Sequence, residues 1–196
     1  MKTKTISIQL DGVVRNTIDK ILDIYEGEKG VEIERPLKTL DLQTELGFKT
    51  KEELIDFIYI ESPMRVFGYS QEVEEGSVFI INEIYKKFRD EYKISIFSNE
   101  VEKSKPATLM FLAKTGCLID NIHFYPLEDY TTIWDDSDIV ITSSTNILKT
   151  KPDNKSANKL SIKYQTIYNE DNEADFNIKS LKQLLENEYF KRNEFA

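Results

Sequence analysis

The chain has 196 residues and a mass of 22.9 kDa, with 26 Lys and Arg against 35 Asp and Glu, a net charge of -9 and a pI near 4.8. That length fits one compact domain with an insertion, and a 40% hydrophobic content supplies a core that excludes wholesale disorder. The negative field disfavours duplex nucleic acid and anionic membrane surfaces as general partners, and a single cysteine, Cys117, excludes a disulfide framework and a Cys-rich zinc site.

Thr5 to Leu10 alternates apolar and polar residues and meets Asp11-Gly12, which predicts a strand ending in a turn. Asn16-Thr17 can cap a helix carrying Ile18, Ile21, Leu22 and Tyr25 at helical spacing. Glu26 to Leu46 is charged and broken by Gly30 and Pro36, and reads as loop or short irregular structure. Thr50-Lys-Glu-Glu53 is a capping-box pattern opening a helix through Leu54, Phe57, Ile58 and Ile60, which Ser62-Pro63 ends.

Glu72 to Gly76 reads as a solvated acidic connector. Ser77 starts an amphipathic helix with Phe79, Ile80, Ile84, Tyr85 and Phe88. Lys93 to Phe97 is a strand stopping at Ser98-Asn99, and Pro106 opens a helix that Gly116 closes. Asn121 to Tyr125, Ile139 to Thr142 and Leu160 to Gln165 are further strands, and Asn177 to about Tyr189 is a last helix. Strands alternating with helices predict a parallel sheet of five strands covered on both faces, with a helical insertion after the first strand.

In such a sheet, ligands bind beyond the carboxyl ends of the strands. Those ends carry Gln9 to Gly12, Ser98-Asn99, Tyr125-Pro126 and Ser143-Ser144. The run Ile6-Ser-Ile-Gln-Leu-Asp-Gly-Val-Val-Arg-Asn16 resembles the first motif of the haloacid dehalogenase-like (HAD) superfamily, in which a strand ends in Asp-x-Asp-Gly-Val and a helical cap can follow. Ser98 after Ile94-Ser-Ile-Phe97 resembles its second motif, where a hydroxyl binds the phosphoryl group. The order of elements agrees over nearly the whole chain, and the nearest flavour is the nucleotidase-like branch with a small cap. The resemblance implies a HAD-like, Rossmann-like three-layer α/β sandwich with a core from 1–13 and 77–196 and a cap from 14–76.

The departures from that pattern bear on activity. In the family the first Asp is the nucleophile that becomes an aspartyl-phosphate and the second is the general acid/base. Here Gln9 stands at the nucleophile position, and an amide is a far poorer nucleophile than a carboxylate. No Lys follows Ile122 to Tyr125, where the family places a charge-offsetting one, and Ser143-Ser144 replaces the acidic metal ligands of the fourth motif. The reading that follows is a catalytically inactive HAD-like domain with no cofactor, serving as a structural or protein-interaction module. Asp11, Gly12, Ser98 and Asn99 are then the remnant of a phosphate pocket.

One alternative is a phosphatase or nucleotidase using Mg2+, with Asp11 and Ser98 as catalytic groups and Asp11, Asp135 and Asp136 as metal ligands; another is a small-ligand binder using the vestigial phosphate pocket. Asp11 also suits a plain Asp-Gly turn, Ser98 a bond to nearby backbone, and Asp135, Asp136 and Asp138 a solvated turn. His123 suits a packed ring within a strand, and Arg15 and Lys105 suit either an anion contact or the open surface. Among the polar residues of the tail, Tyr189, Phe190 and Phe195 are candidate anchors for a protein partner. No apolar run approaches the ~20 residues of a membrane helix, and Met1 to Thr5 is too short for a secretory signal. With 21 Lys against 5 Arg the composition suits an AT-rich genome, so the expected setting is a bacterial cytoplasm or a bacteriophage virion.

Overall fold

β1 (Lys4–Gln9) explains the architecture. Its Ile-Ser-Ile alternation gives an isoleucine face and a serine face, and both are buried. Ile6 and Ile8 enter a large apolar cluster, while the Ser7 hydroxyl bonds the hydroxyls of Ser95 (2.9 Å) and Ser137 (2.7 Å). A strand covered on both faces belongs in the middle of a parallel sheet. The computed structural model describes residues 3–37, 39–152 and 159–186, and in it β1 is central.

β2 (Tyr92–Asn99), β3 (Ile122–Tyr125), β4 (Ile139–Thr142), β5 (Leu160–Tyr164) and β6 (Phe176–Ile178) complete one sheet in the order β3-β2-β1-β4-β5-β6. Every neighbouring pair is parallel. The chain moves outward from β1 to β2 and β3, then crosses back to β4. The carboxyl end of β1 is thus the point where strand order reverses, the place such sheets offer to ligands.

The Ile face of the sheet packs Ile6, Ile8, Ile94, Ile96 and Ile141 against α4 (Ser77–Phe88) and α5 (Lys105–Lys114). The other face packs Phe97 and Val140 against Ile133 and Trp134 of α6 (Thr131–Asp136) and Ile147 of α7 (Thr145–Lys149). The Trp134 indole donates to the Ile147 carbonyl at 2.9 Å, so burial leaves its N–H satisfied.

Between β1 and α4 lies the helical cap. Its entry and exit strands are joined at a neck, where the Asn16 N–H donates to the Gln71 carbonyl (2.8 Å) and the Val73 N–H to the Val14 carbonyl (2.9 Å). The cap holds α1 (Thr17–Lys29), α2 (Leu42–Glu45), α3 (Lys51–Ile55) and two π-helical segments, Asp56–Glu61 and Met64–Gly68. It has an apolar cluster of its own that includes Ile21, Leu22, Phe57, Ile58, Val66 and Phe67, and Ala107 of α5 plugs into it from the core.

The structure corrects the sequence-based expectations in four places. The loop expected from Glu26 begins only after Lys29, where Gly30 adopts φ 65° and donates to the Glu26 carbonyl at 2.8 Å. The helix expected through Ile60 widens into π turns, with the Ser62 N–H reaching back five residues to Phe57. Glu72 and Glu74 are not a solvated connector. Glu72 accepts from the Gly76 and Val78 N–H groups (3.0 and 2.8 Å), and Glu74 accepts from the Leu181 N–H (2.7 Å) and the Ser180 hydroxyl (2.6 Å).

The fourth correction concerns the end of the chain. Six strands form rather than five. Phe176 to Ile178, of which Asn177 and Ile178 were expected to begin the last helix, adds instead to the open edge of β5, where the Gln165 N–H donates to the Ile178 carbonyl (2.8 Å). An unpaired strand edge outweighs the helical spacing of three residues. The helix that remains, α8, spans Lys182–Glu186.

Candidate functional site

Beyond β1 the chain turns sharply at Gly12, whose φ of 80° is strained for any residue bearing a Cβ. A Cβ there would also lie 2.5 Å from the Ser143 Oγ. The glycine lets the Asp11-Gly12 turn press against the β4–α7 loop, which brings Gln9, Asp11 and Ser143 to one place. This much follows the sequence-based expectation.

Asp11 sits at the centre of a charged network. Its Oδ1 accepts from Arg15 Nε (2.9 Å), from an Arg15 terminal nitrogen (2.8 Å) and from the Thr17 hydroxyl, and its Oδ2 contacts the Ser98 hydroxyl. Arg15 is fully buried, although the sequence suggested a surface charge or an anion contact. Its guanidinium lies near the rings of Phe67 (4.9 Å) and Phe111 (5.5 Å) and reaches a second carboxylate, the buried Glu100, at 3.1 Å, whereas Asp11 is partly exposed. Glu100 also accepts from the hydroxyls of Ser104 (2.8 Å) and Thr108. The Ser98 hydroxyl stands within bonding distance of both Asp11 and Glu100 and has one proton to give.

Burying an arginine is tolerable only when its donors are matched. Here they meet Asp11, Glu100, Thr108 and the Phe67 carbonyl. Sequence reasoning missed Glu100 and Thr108 altogether. The available signal was Glu100 two residues after Ser98, on the same strand end. Ser98, expected to bond backbone if it had no catalytic role, bonds carboxylates instead.

Gln9 belongs to a different cluster. Its Oε1 accepts from the Thr142 hydroxyl and the Ser143 N–H (3.1 Å). A backbone N–H can only donate, so the contact fixes which end of the amide is oxygen. The Nε2 group is left with no acceptor among the described residues, and Gln9 lines a cleft of about 360 Å3 between the sheet edge and the cap. Cap residues Ile18, Ile21, Leu54, Ile58 and Tyr59 form much of its wall, with Asp11, Gly12, Asn99, Ser143 and Ser144 on the sheet side. Burial pushes the Tyr59 hydroxyl above its ordinary pKa, so it stays neutral. Also in the lining, Lys51 of α3 pairs with Glu128, which adopts φ 67° in the turn after β3.

The remaining expected site residues fall elsewhere or serve structure. Asn99 donates to the Pro126 carbonyl at 3.0 Å and so braces that same turn. Asp135 and Asp136 end α6, just before Asp138, whose N–H donates to the Thr5 carbonyl at the opposite end of β1. Asp136 accepts from the Tyr125 hydroxyl (2.9 Å).

Magnesium fits this edge poorly on the donors present, because it needs several oxygen ligands around an open carboxylate. Asp11 is committed to Arg15, and the fourth-motif position offers the neutral Ser143 and Ser144. Among the described residues no three His, Cys, Asp or Glu side chains gather to hold a metal. His123 stacks on Tyr125 (6.1 Å, 12°), and the Lys105 ammonium lies over the Phe124 ring. Burial raises the Cys117 thiol above its ordinary pKa, which suits a packing role. Tyr189, Phe190 and Phe195 lie outside the described residues. No helix of the described residues is long and apolar enough to cross a membrane.

No family model and no curated protein sequence matches the chain. Solved structures do match. A haloacid dehalogenase-like family hydrolase from Streptococcus pneumoniae aligns over 93% of this chain and 97% of its own, at 12% identity and a TM-score of 0.60. A haloacid dehalogenase-like hydrolase from Bacteroides fragilis aligns over 93% and 100%, at 15% identity and 0.60. A HAD-superfamily hydrolase of subfamily IA from Geobacter sulfurreducens aligns over 93% and 95%, at 9% identity and 0.57. The chain therefore has the HAD-like fold that its first motif led us to expect.

Proposed function

We propose that this chain is a HAD-fold domain that does not transfer phosphoryl groups and acts by binding, as a structural or interaction module. One observation carries the reading: the nucleophile position holds the amide of Gln9, its oxygen fixed by Thr142 and Ser143. The tethered Asp11 supports it. A general acid/base must reach the proton it moves, and both oxygens of this carboxylate already face protein donors. The AT-rich composition suits a bacteriophage accessory or virion component, and the three tail aromatics are the residues we assign to a protein partner.

A competing reading, a magnesium-dependent phosphatase of nucleotidase type with a rearranged site, draws on Asp11 and Ser98 standing together at the sheet edge. Purified protein with magnesium and p-nitrophenyl phosphate decides between them. We expect release of nitrophenol at the rate of a protein-free control. Magnesium-dependent turnover that disappears in Asp11→Asn would establish the phosphatase instead.

A further inference from the structure

We propose that the cleft between the cap and the carboxyl edge of the sheet binds a neutral, largely apolar small molecule bearing a carbonyl-type acceptor, rather than a phosphate ester. The proposal rests on the non-hydrolytic reading above and adds the chemical class of the ligand.

Size comes first. About 360 Å3 falls within the range of small-molecule sites, and a mainly apolar wall with a few placed polar groups is their usual composition. Ile18, Ile21, Leu54, Ile58 and Leu127 supply that wall.

Charge decides the class. The ionised residues lining the cleft are Asp11, Lys51 and Glu128. Lys51 and Glu128 pair with each other on the exposed side of the lining. Behind Asp11 the single cation Arg15 is shared with Glu100, so the network carries one more negative charge than positive. A phosphoryl dianion entering here would have to draw the exposed Lys51 away from Glu128 and would face the Asp11 carboxylate. Burying a charge without a partner is strongly unfavourable. A neutral molecule escapes that cost.

Orientation follows from Gln9. Its Nε2 group has no protein acceptor among the described residues, whereas its oxygen is doubly bonded by Thr142 and Ser143. The Nε2 group is open to solvent at the wall of a mainly apolar cleft, so a ligand that covers it strips it of water and is favoured when it completes the bond. The unmatched end is a donor, so the ligand brings an acceptor.

The probe is prodan, a neutral naphthalene ketone whose emission shifts to the blue in apolar surroundings, titrated into the full chain. We expect saturable one-to-one binding with a blue shift. Millimolar inorganic phosphate or p-nitrophenyl phosphate should not displace it. Gln9→Glu keeps an acceptor for Ser143 but turns a carboxylate oxygen toward the ligand, and should weaken binding about tenfold, roughly the worth of one hydrogen bond. Leu54→Asp, at a half-buried wall position, should do the same or more. Melting curves establish that both variants are folded. Absence of saturable binding, equal affinity in both folded variants, or displacement by phosphate would each overturn the proposal. The displacement arm needs only the wild-type chain, so it decides even if a variant unfolds. Hydrolysis in the magnesium assay would remove the non-hydrolytic reading, whereas failure of prodan binding without hydrolysis removes this inference alone.

Discussion

Two polar clusters meet at the end of β1, and they are built on opposite plans. Around Asp11, Arg15 and Glu100, donors and acceptors close on one another and the arginine is sealed from solvent. Around Gln9, Thr142 and Ser143, one end of an amide is fixed and the other opens on a cleft. The first arrangement suits holding the cap's neck to the sheet, since it ties Asp11 to Thr17 of α1 and to Thr108 of α5 through Arg15. The second suits recognising something that is not part of the chain. Residue type alone would suggest the reverse, because acids and arginines at a sheet edge are the expected machinery of a site.

The strongest way to break this contrast is to remove the cation. Arg15→Met leaves Asp11 and the buried Glu100 facing each other with no positive charge between them, which should destabilise the chain by about 3–5 kcal/mol. Urea unfolding at neutral pH measures it. Adding Glu100→Gln should recover part of the loss, since one of the two stranded charges is then gone. A loss below about 1 kcal/mol would mean that the network is not structural, and would return Asp11 to the list of groups available for chemistry.

The sequence made the strands and the reversal point legible for a simple reason: β1, β2 and β4 are buried, β-branched runs bounded by turn residues, and packing does not oppose that local signal. Asp11, Gly12 and Ser98 could be placed at one edge because strand ends are fixed by the same pattern. Glu100 and Arg15 could not. A charged residue defaults to the surface unless its partners are known, and these two meet across 85 residues of chain. Glu74 was hidden in the same way, since its partners Ser180 and Leu181 lie 106 and 107 residues away, whereas Glu72 caps the helix that follows it directly and was within reach of the sequence. β6 was missed because three residues carry too little periodicity to outvote the helix that follows them.

A third carboxylate sharpens the comparison from outside the site. Asp175 accepts from the Ser161 N–H (2.7 Å) and hydroxyl (2.8 Å) and pairs with Lys151, joining β5 to the loop before β6. Burial acts to raise its pKa, but Lys151 and Ser161 outweigh burial and hold it below the ordinary 3.8. A carboxylate with a depressed folded pKa stabilises the fold above its unfolded value, and that contribution is lost as pH falls through the folded one. Because the pair is partly exposed, Asp175→Asn should cost only about 1 kcal/mol at neutral pH. Urea unfolding at pH 7 and below the ordinary pKa of 3.8 should show the gap between wild type and variant narrowing in acid. A gap that widens on acidification would mean that the group is not held ionised by the fold.

The smallest expected effect is the most informative about function. Gln9→Asp restores the acid that the HAD-like first motif carries, yet we expect magnesium-dependent hydrolysis of p-nitrophenyl phosphate to remain at the level of the protein-free control. A lone carboxylate would gain nothing from its neighbours. Asp11 remains bound to Arg15 and Thr17 and cannot swing toward a leaving group. The turn after β3 presents Glu128, paired with Lys51, where a cation would have to offset the phosphoryl charge. Ser143 and Ser144 hold the fourth-motif position without an acid to share with a metal. The shorter aspartate also gives up the reach by which Gln9 meets the Ser143 N–H, so the variant should bind prodan less well while gaining no activity. Turnover appearing on this single change would show that the site is one substitution from an enzyme, and that Asp11 is less committed to the fold than its bonds to Arg15 indicate.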